Sequence, residues 1–166
     1  MDRERLLLLL DRVAAGRWAG HRIAETHRAD PRIRTAFTWV TSLLLAEILI
    51  GGGAVGEAIV RTDEGDHVSL LVWWRLVVVF GIATTLLYFV WRARLGFWWA
   101  YSRLRLFSLV FPAVAITTCL VPGLYPDWMV VEQLLFSCVL LVVRRVLSAP
   151  PLRVAFVRPV LARAPE

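Results

Sequence analysis

Four apolar stretches, each longer than a strand, constrain this chain more than any other feature. They run from Ala36 to Val60, from Leu70 to Trp91, from about Leu104 to Val121, and from Trp128 to Val143, with Val146 and Leu147 extending the last. A helix needs about 17–25 mostly apolar residues to cross the hydrocarbon core of a bilayer. Lipid offers backbone groups no partners, so a spanning segment satisfies its own N–H and C=O groups, and the helix is the default. A β-barrel would show alternating segments of about ten residues, and the sequence has none. The expected fold class is therefore all-α and polytopic: a bundle of four transmembrane helices over 36–60, 70–91, 104–121 and 128–147. The first is long and should tilt. The fourth is short, with Arg144 and Arg145 snorkelling to the headgroups.

Composition agrees with lipid as the solvent. Hydrophobic residues make up 58% and charged residues 19%, and the mean hydropathy is +0.64. A soluble domain is about half apolar and about a quarter charged. Disorder and fibrous repeats are excluded. A net charge of +6 would raise nucleic acid as a partner in a soluble protein. Here the placement of charge points to the membrane instead, and no nucleic acid is expected. All nineteen basic residues are Arg, which GC-rich codon usage explains.

That placement gives an orientation. Seventeen of the nineteen Arg lie in residues 1–35, 92–105 and 144–163, all on one side of a four-pass topology. The opposite loops hold Arg61 against Asp63, Glu64, Asp66 and Asp127. The positive-inside rule then puts both termini in the cytoplasm, in a multi-pass protein of the cell membrane. Trp39, Trp91, Trp98 and Trp99 fall near the inner interface, and Trp73, Trp74 and Trp128 near the outer one.

Three regions follow: an Arg-rich cytoplasmic arm at 1–35, the transmembrane domain at 36–147, and a tail at 148–166. Leu6–Leu10 is too short for the h-region of a signal peptide, which takes about 7–15 apolar residues. Leu6, Leu9, Leu10, Val13 and Ala24 share a helical face, so the arm is expected to hold a helix. It lies either in the inner interface, drawn to anionic lipid by its Arg residues, or on a protein surface. The tail, with Pro150, Pro151, Pro159 and Pro165, reads as extended or loosely ordered.

Charges within spans are costly and are the first place to look for function. Counting along the helices puts Glu57, Arg75 and Glu132 at similar depth on three of them. They form either an ion-pair network that fixes helix order or an anion site opening outward, with Arg75 as the binding charge. Glu47 lies near the midplane with no basic residue at its depth. Desolvation favours its neutral form, so it is a candidate proton or ion site. Otherwise it is a neutral carboxyl bonded to a hydroxyl such as Ser108, Thr84 or Ser137. Gly52 and Gly56 form a GxxxG pair, continued by Ala54 and Ala58, that suits helix packing within the bundle or between copies. Pro112 removes an N–H, frees the Ser108 carbonyl and should bend the third helix. Thr117 and Thr118 are expected to bond back to their own helix.

No catalytic, metal or cofactor motif appears, and no His lies in a span. Cys119 and Cys138 read as small apolar core residues at different depths, too far apart for a disulfide. Two functions stay open. One is a non-catalytic accessory or scaffold component that binds a membrane-protein partner. The other is a small homo-oligomeric transporter or channel using Glu47 and the Glu57/Arg75/Glu132 cluster. The chain is not expected to be an enzyme.

Overall fold

The computed structural model describes residues 21–23, 30–65 and 67–157. The helix expected in the N-terminal arm falls largely outside them, as does the tail beyond Val157. The described residues form five α-helices: α1 Pro31–Asp63, α2 Leu70–Arg94, α3 Trp98–Cys119, α4 Asp127–Leu147 and α5 Pro150–Ala155. α1, α2 and α3 are long and apolar enough to cross a membrane. α4 is not among these three. Between Glu132 and Arg144 it has eleven uncharged residues, which rise only about 16 Å.

Local chemistry sets the ends. Asp30 caps α1, its carboxylate accepting from the Arg32 N–H at 2.8 Å, and Pro31 fills the first turn, where no N–H partner is needed. α2 stops at Gly96, whose φ of +89° is a left-handed conformation that costs glycine little. The Gly96 N–H donates to the Ala93 carbonyl at 2.9 Å and the Phe97 N–H to that of Arg92 at 3.2 Å. Both bonds satisfy carbonyls that the helix end leaves open. Residues 21–23 run beside this turn, with the Ile23 N–H donating to the Gly96 carbonyl at 2.9 Å.

α1 packs on α2 and α4, and α3 packs on α2 and α4. The larger core lies at the Arg-rich end, around Phe37, Leu44, Phe89, Leu104, Leu140 and Leu147. A smaller one at the other end joins Ala54, Ala58, Val72, Leu76 and Met129. The outside is apolar too: Leu49 and Leu70 are more than 70% exposed, with Val77 and Trp74 close behind. In the spanning stretches of α1, α2 and α3 only 28%, 22% and 22% of residues are buried within the chain. Helices apolar all round, with most of that surface facing out, are built for lipid.

Several expectations are corrected. α3 begins at Trp98, not near Leu104, because Trp99, Ala100 and Tyr101 point into the core. Trp99 is therefore an edge-to-face partner of Phe89, with centroids 5.9 Å apart, rather than an interfacial anchor. The tail is helical over Pro150–Ala155, since proline is well placed in a first turn. Cys138 is exposed on α4 and not a core residue.

Candidate functional site

The polar residues buried among these helices are Glu47, Arg92, Ser108, Glu132, Gln133 and Ser137. Arg75 of α2 reaches α4, where its Nη1 donates to Glu132 Oε2 at 2.8 Å. The two side chains are only 10% and 8% exposed. The Arg75 guanidinium also lies 5.3 Å from the centre of the Tyr125 ring. A guanidinium shielded by both a carboxylate and an aromatic face is well compensated.

Glu57 does not join this pair. Its carboxylate accepts from Arg61 Nε at 2.8 Å, one turn along α1, and both side chains are well exposed. The three-residue cluster expected from depth is thus a buried Arg75–Glu132 pair and a separate Glu57–Arg61 pair. Helical spacing of four brings the second pair together without any neighbour.

Glu47 is buried at 3% exposure, and its Oε1 has no hydrogen-bond partner. It lies within electrostatic reach of Glu132. The hydroxyls offered to it are used elsewhere. Ser108 donates to the Arg105 carbonyl at 3.1 Å, Thr84 to that of Phe80 at 2.9 Å, and Ser137 to that of Gln133 at 2.8 Å. Glu47 and Ser108 are both buried, and no bond joins them.

Beside this seam, Gln133 ties α4 to α3. Its Nε2 donates to the Ala115 carbonyl at 2.6 Å and to the Thr118 hydroxyl, while its Oε1 is buried without a partner. Thr117 and Thr118 donate back into α3, to the carbonyls of Ala113 and Ala115. Gln133 carries no charge and so escapes a reading by charge alone, although a lone amide in an apolar run is legible as a cross-helix donor. Arg92, expected on the inner side with the other Arg of 92–105, is buried with its guanidinium 4.1 Å from the Phe97 ring centre.

Gly52 and Gly56 face outward. A Cβ built on either meets nothing within 4 Å. Among the described residues nothing packs over them, whereas Ala54 and Ala58 pack into the smaller core. Among the described residues no group of His, Cys, Asp and Glu could hold a metal ion.

No family model, curated protein or solved structure matches this chain.

Proposed function

We propose that this chain is a non-catalytic accessory component of the membrane, packing against other membrane helices through the outer face of α1. The observation that carries this reading is the open space over Gly52 and Gly56. Small residues that no internal contact requires are of use where a second helix approaches closely. The main intramembrane charges support the same reading, because Arg75 and Glu132 are spent on each other. In this reading α4 is the fourth crossing. Once Glu132 is paired, Trp128–Val143 presents no uncompensated charge, and the Arg-rich ends of all four helices lie together in the cytoplasm. The partner is a membrane protein or a second copy of this chain.

The test is gentle solubilisation and sizing of the wild type against Gly52→Leu and Gly56→Leu. Loss of a co-purifying protein, or of a self-oligomer, with the fold intact supports the reading. An unchanged assembly overturns it.

One observation favours a second reading, a small transporter or channel: the buried and unpartnered Oε1 of Glu47. A carboxyl without a partner is free to take and release a proton or cation. Flux in liposomes that Glu47→Gln abolishes selects this reading. Silence of that variant leaves the accessory role.

A further inference from the structure

The Arg-rich end of the molecule contains a concave site that is separate from the intramembrane pair. A cavity of about 300 Å³ opens between the start of α3 and the C-terminal segment. Trp98, Tyr101, Ser102 and Arg105 line it from α3, and Arg153 and Phe156 from the other side. The walls are fixed. Tyr101 stacks on Phe156 with centroids 4.3 Å apart, and its hydroxyl donates to the Leu147 carbonyl at 2.7 Å. Arg144 of α4 donates from Nη1 to the Arg105 carbonyl at 2.7 Å, which ties that turn of α3 to α4.

Two guanidiniums therefore converge on one hollow from elements about fifty residues apart. Both line the hollow beside Tyr101, close enough to act on it electrostatically. Neither makes an ion pair with a carboxylate among the described residues. Like charges held close without a counter-charge repel, and an anion relieves that cost. Guanidinium presents a planar fork of donors that matches phosphate oxygens, and Ser102 adds a hydroxyl. Trp98 and Tyr101 give the hollow the mixed aromatic and polar lining found where headgroups meet acyl chains.

We propose that this cavity binds a phosphate-bearing anion, with Arg105 and Arg153 as its two charges. The anion is a phosphate ester: the headgroup of an anionic lipid or a soluble phosphate compound. The site stands on this cavity alone and does not depend on the accessory or transporter role.

The test uses the full chain in a neutral detergent. It is titrated with phosphatidylglycerol, with phosphatidylcholine and with inorganic phosphate, using native mass spectrometry for lipid and calorimetry for phosphate. Arg105→Gln and Arg153→Gln are each expected to weaken binding by about tenfold or more, the scale of a charged hydrogen bond. Arg103→Gln and Arg145→Gln, exposed at the same end, are expected to change it by about twofold or less. Phosphatidylglycerol retained against phosphatidylcholine and unaffected by inorganic phosphate assigns the headgroup. Inorganic phosphate that binds alone and displaces lipid, with the same dependence on Arg105 and Arg153, assigns a soluble compound. Absence of any binding, or equal losses in all four variants, overturns the site. Arg153 is exposed on α5, so Arg153→Gln keeps the test decisive if Arg105→Gln does not fold.

Discussion

Tyr101 stacks on Phe156 at 4.3 Å and 20° while its hydroxyl donates to the Leu147 carbonyl. One side chain thus joins the start of α3, the end of α4 and the segment after α5. Tyr101→Phe keeps the stack and loses only the hydroxyl, so about 1 kcal/mol of stability is expected to go. Tyr101→Ala also opens a cavity, and about 3–5 kcal/mol is expected. Thermal unfolding in detergent, followed by circular dichroism, separates the two.

The Arg75–Glu132 pair predicts a non-additive set of variants. Breaking a buried pair from one side strands the other charge and costs about 3–5 kcal/mol. Arg75→Gln and Glu132→Gln are each expected to unfold at clearly lower temperature. Arg75→Met with Glu132→Met removes both charges at similar volume and is expected to recover most of the loss. Glu57→Gln, in an exposed pair, is expected to change stability by about 0.5 kcal/mol or less. A double variant no better than the worse single would show that the pair is not coupled.

For Glu47 the sign runs the other way. A buried oxygen with no partner forfeits about 1–3 kcal/mol of desolvation. Glu47→Leu fills the same space without that oxygen and is expected to raise the unfolding midpoint. A lower midpoint would mean that the carboxyl has a stabilising partner.

Gly56→Leu is expected not to lower the stability of the isolated chain, because the added side chain enters open space. Gly→Leu in a helix is even favourable by up to about 1 kcal/mol in propensity. Ala58→Leu, buried at 0% exposure against the smaller core, is expected to be destabilising by about 1–3 kcal/mol through overpacking. The same unfolding assay reads both.

The helical nature of the chain was legible because apolar runs of this length have few other solutions. Boundaries were less legible. The first span reads from Ala36, yet Asp30 caps α1 and Pro31 begins it. The start of α3 was missed because Arg103 and Arg105 make that stretch read as a loop. Yet Tyr101, Leu104 and Ser108 recur at helical spacing on its buried face. Depth counting paired Arg75 with Glu132 but also drew in Glu57. Depth says nothing of the direction a side chain takes around its helix, and the nearby Arg61 was the closer partner. Which way Gly52, Gly56 and Cys138 face likewise depends on helix rotation, and that is set by contacts across the fold.

The ion pair between α2 and α4 carries a consequence for biogenesis. Arg75 leaves the ribosome 57 residues ahead of Glu132. In the four-crossing arrangement proposed above, α2 then meets the translocon with a charge that costs up to about 3 kcal/mol at mid-helix, and less near its end. α4 arrives later with the complementary charge and with the shortest uncharged run of the four. α2 is apolar enough to insert alone, whereas α4 gains from a partner already in place to take its charge. The fourth helix would then commit to the bilayer last, against a second helix already in place.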